Sequence, residues 1–185
     1  VRQAAKWRAS RPDFCISLNL SPVQFTEGGI AVDEWMACLE ELSLPPQSVV
    51  IEITEQLLAG TDASVVRQLD ALHRRGVRVA IDDFGTGYSS LASLKKFSPD
   101  YMKIDRTFIR NLTAGDEDRT LCETMIMMAH KLDIAVVAEG VETPEQWRIL
   151  SSLGCDYAQG YYISEPVEKA SFGKLLAVKG CTVMA

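Results

Sequence analysis

The sequence predicts an α/β fold of repeated βα units on a parallel sheet, arranged as a barrel. Three observations carry this. Strand-like and helix-like signals alternate along the whole chain. Six short β-like runs each end in a polar residue able to hold a metal or a phosphate. The two faces of those runs also differ, one aliphatic and one mixed, as in a barrel whose reactive groups stand at the carboxyl rim.

The elements follow in order. Val1-Arg-Gln-Ala-Ala-Lys-Trp-Arg8 looks like the end of an amphipathic helix, so the chain is expected to begin inside a domain. Residues 14–19 (Phe-Cys-Ile-Ser-Leu-Asn) give the first strand, and residues 30–42 carry helical spacing that stops before Pro45-Pro46. The second strand is residues 49–52, after which Asp62-Ala-Ser opens a helix running through His73 and ended by Arg74-Arg-Gly76. The third is residues 77–83, leading into the glycine-rich loop Gly85-Thr-Gly-Tyr-Ser-Ser90 and a short helix to about Lys96. Tyr101-Met-Lys103 is the fourth, followed by a long helix over residues 116–131. Residues 134–139 form the fifth, and Thr143-Pro-Glu-Gln opens a helix with Pro144 in its first turn. The sixth is Tyr157-Ala-Gln159, and past Pro166 a closing helix spans residues 169–178.

Parity chooses between a barrel and a doubly wound layer, because side chains alternate faces along a strand. Cys15 and Ser17, Val50, Ala80, Tyr101, Ala135 and Val137, and Tyr157 share the face of the strand-ending polar residue. The opposite face carries Phe14, Ile16 and Leu18, Val49 and Ile51, Val79 and Ile81, Met102 and Ile104, and Val136. One face suits a helical layer and the other a barrel interior. A doubly wound sheet usually binds its ligand at a single switch point; here every strand offers a polar group. A closed barrel of this kind has eight strands in about 250 residues, so two strands are expected upstream of these 185 residues.

Composition narrows the chemistry. With 47% apolar and 24% charged residues the chain is an ordinary globular domain. Its net charge is −6 and its Lys and Arg are scattered, which argues against a nucleic-acid polymer as partner. No apolar run approaches the roughly 20 residues that span a bilayer. Five cysteines without a C-x-x-C pair are expected to be buried thiols of a reducing, cytoplasmic setting.

The strand-ending residues are Asn19, Glu52, Asp82 with Asp83, Lys103, Glu139 and Gln159. Carboxylates, amides and one ammonium converging at a barrel mouth suit divalent cations and a phosphate ester. Adjacent Asp82 and Asp83 reach one site only if the strand ends there and the chain turns, which Phe84-Gly85 permits. Asp83-Phe-Gly85 spells the kinase magnesium motif, but no kinase catalytic loop precedes it. Lys103 has a structural alternative, pairing with Asp105; Glu142 either serves the site or caps the helix entered at Thr143. His73 and His130, late in helices, suit dipole contacts, and Met125-Ile-Met-Met128 suits core packing.

The motifs Asn19-Leu-Ser-Pro22, Glu52-Ile-Thr-Glu55, Asp82-Asp-Phe-Gly-Thr-Gly-Tyr-Ser-Ser90, Lys103-Ile-Asp105, Ala138-Glu-Gly-Val-Glu-Thr143 and Gln159-Gly-Tyr161 with Pro166 occur in order through the chain. Together they make the chain resemble the EAL-domain family of cyclic di-GMP phosphodiesterases. The resemblance implies a TIM-like (β/α)8 barrel of which strands three to eight lie here, as a partial domain over residues 1–185. It also implies two Mg2+ or Mn2+ ions and hydrolysis of cyclic di-GMP to linear pGpG. By the same resemblance Asn19, Glu52, Asp82 and Asp83 are metal ligands, with Asp82 bridging both ions. Glu139 is a second-metal ligand or general base, Lys103 orients the attacking water and steadies the phosphate, and Gln159 supports the metal–water network. Asp105, Glu142 and Pro166 belong to the substrate and water network, and Glu55 anchors the loop over residues 84–90. The family further implies a homodimer through the helix after Tyr88, an adjacent GGDEF or sensor domain, and membrane anchoring in some full-length members. The Glu-Ala-Leu tripeptide would lie upstream of Val1, so these residues alone are expected to hydrolyse weakly. A non-catalytic cyclic di-GMP receptor of the same fold is the alternative, and an enolase-type barrel a remote third.

Overall fold

A computed structural model describes residues 1–26, 31–59, 63–87, 94, 97–113 and 115–176. The chain divides into two compact units, one formed by residues 1–52, 61–79 and 167–185 and the other by residues 53–60 and 80–166. All six expected strands are present: β1 Ile16–Asn19, β2 Val49–Thr54, β3 Arg78–Phe84, β4 Tyr101–Ile104, β5 Ala135–Glu139 and β6 Tyr157–Gln159.

In the first unit β1 and β2 pair in parallel, with Ile16 opposite Val49 and Asn19 opposite Glu52. Its helices are α1 Arg2–Ser10, α2 Pro22–Thr26, α3 Val32–Glu41, α5 Ala63–Arg74 and α9 Lys169–Leu176, with a 3-10 turn at Pro46–Ser48. Helix α5 buries Val65, Leu69 and Leu72, the i, i+4, i+7 stripe expected of a helix laid on a core. Helix α1 is held to α9 by aromatic packing. The Trp7 ring lies 4.6 Å from that of Phe172 and 5.6 Å from that of Phe14. Arg11 Nη1 donates to the Leu176 carbonyl at 2.9 Å, supplying a partner for an otherwise orphan helix-end acceptor.

The second unit contains α4 Glu55–Ala59, then β3, β4, α6 Arg106–Arg110, α7 Asp116–Lys131, β5, α8 Pro144–Ser152 and β6. Its strands run β3-β4-β5-β6 in sequence order, every pair parallel. That order has no reversal, so this unit lacks the switch point of a doubly wound sheet. Helix α7 buries Cys122, Met125, Ile126 and Ala129. Asp116, Glu117 and Asp118 open it and His130 and Lys131 close it, matching the helix dipole at both ends. Helix α8 begins as its sequence predicts: the Thr143 hydroxyl accepts from Gln146 N at 3.2 Å. Buried Gln146 Oε1 accepts from the amides of Glu142 and Thr143 at 2.8 and 3.0 Å, and its Nε2 donates to the Ile109 carbonyl at 3.1 Å.

Several expectations need correction. The Met cluster is only partly core: Met125 is buried, whereas Met127, two positions on, faces outward at 55% exposure. Cys122 and Cys155 are buried, with burial pushing their thiols up to about 12 and about 11, but Cys38 is exposed and Cys15 intermediate. His130 meets Asp156 at 2.9 Å, an ion-pair geometry in addition to its place near a helix end. The helix expected after Tyr88, the opening residue Asp62, the closing helix beyond Leu176 and Cys181 lie outside the described residues.

Gln146→Ala is expected to cost about 2–4 kcal/mol, because it removes the reciprocal half of the capping box and leaves two amides and a carbonyl without their side-chain partner, while Thr143 still caps the amide of residue 146. A lower urea midpoint with an unchanged m value is the expected reading; a midpoint like that of the parent would contradict it.

Candidate active site

The site is assembled by the carboxyl ends of three neighbouring strands. On β3, plain alternation would send Asp82 and Asp83 to opposite faces. The β3–β4 register instead shifts between Ile81 and Phe84, and Asp83 adopts φ +54°. Aspartate tolerates this left-handed conformation better than most residues. Gly85 follows at φ +99°, where an added Cβ would stand 2.6 Å from the Phe108 ring. The turn brings Asp83 back toward Asp82, and the Asp83 amide donates to Asp82 Oδ1 at 3.1 Å.

Strand β4 contributes Lys103 and β5 contributes Glu139. Lys103 is in register with Val137, two residues before Glu139, so both side chains project from the same face. The lysine stem spans the offset: Nζ lies 2.8 Å from Asp82 Oδ1 and 2.7 Å from Glu139 Oε1. The Lys103 side chain is 6% exposed, so this charge is held inside the protein by carboxylates. Ligand atoms of Asp82, Asp83 and Glu139 all fall within 4.8 Å of one another. Three carboxylates so close fit a divalent cation, since hard oxygen donors converging on one point are what such ions require.

Electrostatics distinguishes the acids. Asp83 is held above the usual carboxylate range by burial and then by the neighbouring charges of Asp82 and Asp105. Asp105 is held below it: burial pushes the other way but is outweighed by hydrogen bonds from Thr107. Its Oδ1 accepts the Thr107 amide at 2.9 Å and hydroxyl at 2.5 Å, capping α6. The pairing of Lys103 with Asp105 weighed from sequence is replaced by Asp82 and Glu139 as its ion-pair partners.

Buried Glu55 accepts from the amides of Gly85 and Gly87 through one oxygen, at 2.9 and 3.0 Å, tying the start of the loop after β3 to α4. A Cβ on Gly87 would press against that carboxylate at 3.1 Å. Gly140, directly after Glu139, turns at φ +68°, and a Cβ there would meet Arg106 Cβ at 2.6 Å. Gln159 is the register partner of Glu139 and is exposed, as are Glu142 and Pro166. Thr143 and Gln146, not the Glu142 carboxylate, form the α8 cap. In the first unit, Asn19 ends β1 and is the register partner of Glu52, which lies two residues before the end of β2 because that strand runs on to Thr54.

Two supporting residues escape a reading by strand ends. Thr107 fixes Asp105, and the Asp-x-Thr spacing of a helix cap is the signal for it. Gly140 gives Glu139 its turn, signalled only by a glycine directly after a strand-ending acid.

The EAL domain family model matches residues 1–166. The chain belongs to the EAL family. It is 39% identical over 168 residues to Pseudomonas aeruginosa MucR, a bifunctional diguanylate cyclase/cyclic di-GMP phosphodiesterase, the match covering 90% of this chain and 24% of MucR. The MucR phosphodiesterase in complex with cyclic di-GMP superimposes with a TM-score of 0.84 at 37% identity, over 92% of this chain and 69% of that one. The EAL domain of Mycobacterium smegmatis DcpA gives 0.88 at 37% identity, over 95% and 79%. Klebsiella pneumoniae BlrP1, in a manganese and cyclic di-GMP complex, gives 0.81 at 33% identity, over 90% and 43%. The chain spans about a quarter of the length of the curated relatives it matches. Its fold is the α/β barrel type of the EAL family, represented here by six parallel strands and their helices. Among the described residues no helix is long and apolar enough to cross a membrane.

In chelator at neutral pH, Asp83→Asn is expected to resist denaturant slightly better than the parent, by roughly a few tenths of a kcal/mol because this exposed site is screened. The raised folded-state pKa sets the sign: ionised Asp83 opposes folding, so the parent loses stability as pH rises through that pKa. The advantage of the asparagine should therefore vanish in acid, where the parent is protonated in both states; a variant less stable at neutral pH contradicts this.

Proposed function

We propose that this chain is part of a metal-dependent phosphodiesterase that hydrolyses cyclic di-GMP to linear pGpG. The observation that carries the reading is the meeting of Asp82, Asp83 and Glu139 at the ends of β3 and β5, with the Lys103 ammonium of β4 paired to Asp82 and Glu139. EAL relatives named as cyclic di-GMP phosphodiesterases, and EAL structures holding that dinucleotide with manganese, support it.

Two Mg2+ or Mn2+ ions, when bound, would supply a nucleophilic hydroxide at neutral pH and offset charge on the phosphate. Asp82, Asp83 and Glu139 would hold them, and the family resemblance adds Asn19 and Glu52 as further proposed ligands. Glu139 also stands as the base that takes the water proton. Lys103 steadies the phosphate and orients the water, and Gln159, Asp105, Glu142 and Pro166 line the substrate and water network. In the reaction the water oxygen bonds to phosphorus, one P–O ester bond breaks, and the departing sugar oxygen receives a proton. Glu55 keeps the loop after β3 in place through its bonds to Gly85 and Gly87. Every family motif that falls within these residues keeps its acids, which favours hydrolysis over a receptor that only binds the dinucleotide. An adjacent cyclase domain, in line with the bifunctional name of MucR, or a sensor domain, and a homodimer through the segment that follows Tyr88 complete the proposal.

The test is turnover of cyclic di-GMP by the full-length protein. Activity should vanish in EDTA and return with Mg2+ or Mn2+. Glu139→Ala should lower kcat by about 10²–10⁴-fold, the range expected for removal of a positioned base. Binding without hydrolysis in the parent would favour the receptor; undiminished hydrolysis by Glu139→Ala would remove that residue from the mechanism.

A further inference from the structure

The carboxylates that fit a divalent cation already face a second positive group. Asp82 and Glu139 belong to the three-acid cluster, and both are also within 2.8 Å of Lys103 Nζ. A carboxylate oxygen engaged by an ammonium has less lone-pair density to offer a metal, and the ammonium repels a cation arriving beside it. Solvent does little to weaken that repulsion at a lysine only 6% exposed.

We propose that Lys103 sets the divalent-cation affinity of this site: its ammonium is the counter-charge of Asp82 and Glu139, and a cation loads by exchange with it. The proposal rests on the metal reading above and deepens it. A lysine suits the task because its charge rides on a flexible four-carbon stem, so it can yield one carboxylate without moving β4. An arginine fork would hold the same pair more rigidly. The exchange has two consequences. Cations bind more weakly than three uncompensated acids would bind them, so loading tracks the available concentration. Cation entry also releases a positive charge inside the site where an anionic phosphodiester is handled, coupling metal loading to substrate recognition through one side chain.

The experiment titrates the full-length protein with Mn2+ and, separately, Mg2+, by calorimetry and by thermal shift, with no dinucleotide present. Lys103→Met keeps the stem and removes the charge. It should bind Mn2+ about tenfold or more tightly than the parent and melt at a lower temperature in chelator, where the three acids lose their counter-charge. Lys103→Arg keeps the charge and should bind no more tightly than the parent. Mn2+ affinity in a folded Lys103→Met that equals or falls below that of the parent overturns the proposal. So does an arginine variant that binds more tightly, which keeps the test decisive if the methionine variant fails to fold. A parent that binds no Mn2+ removes the metal reading as well. A parent that binds Mn2+ but hydrolyses no cyclic di-GMP sinks the substrate reading alone.

Discussion

Three carboxylates with ligand atoms inside 4.8 Å repel one another, and the Lys103 ammonium between Asp82 and Glu139 is what makes their closeness tolerable. Most of the second unit can be understood as serving that arrangement. Parallel register sets Lys103 beside Val137 and Glu139 beside Gln159, so that a lysine stem bridges strands whose ends are offset by two residues. The compensation is incomplete: Asp83 is held toward its neutral form by burial and by Asp82. A residual excess of negative charge gathered on one strand-end face is the physical basis for expecting cations there.

The backbone at the site departs from regular strand geometry at a few points, each next to a carboxylate of the acidic cluster or to the loop that Glu55 holds. Asp83 and Gly85 have positive φ, and Gly140 turns the chain immediately after Glu139. Left-handed residues cost free energy unless their surroundings require them. Here the surroundings do: the Phe108 ring closes over Gly85, Arg106 packs against Gly140, and Glu55 binds the amides of Gly85 and Gly87. Glu55 illustrates a buried carboxylate whose hydrogen bonds, and not a metal, account for its place in the fold.

Supporting residues form a second tier. Thr107 directs Asp105 and thereby the environment of Asp83. Gln146 joins the loop after β5 to the end of α6 through Ile109. Neither carries a group suited to the chemistry, yet each governs where a chemically suited neighbour stands.

Much of the architecture was legible from sequence because it depends on local periodicity. All six strands were located within about two residues, and α7 and the Thr143 cap of α8 fell where spacing and capping residues place them. The short helices α2, α4 and α6 went unread, being single turns that pack against neighbours and carry too few residues for a 3.6-residue period to show. Which residue types end the strands was equally plain. Their mutual geometry was not: Asp82 and Asp83 are adjacent in sequence, and only the turn at φ +54° decides that both face one point. For Lys103 the sequence offers a structural alternative two residues away, a pairing with Asp105. Three-dimensional register gave it Asp82 and Glu139, because ion pairing follows distance in space, which sequence separation does not report. The sequence by itself determined the parallel βα plan and the stock of acids and lysine, since these follow from side-chain pattern. Tertiary structure alone decided which charges neutralise one another, since that depends on strands brought side by side.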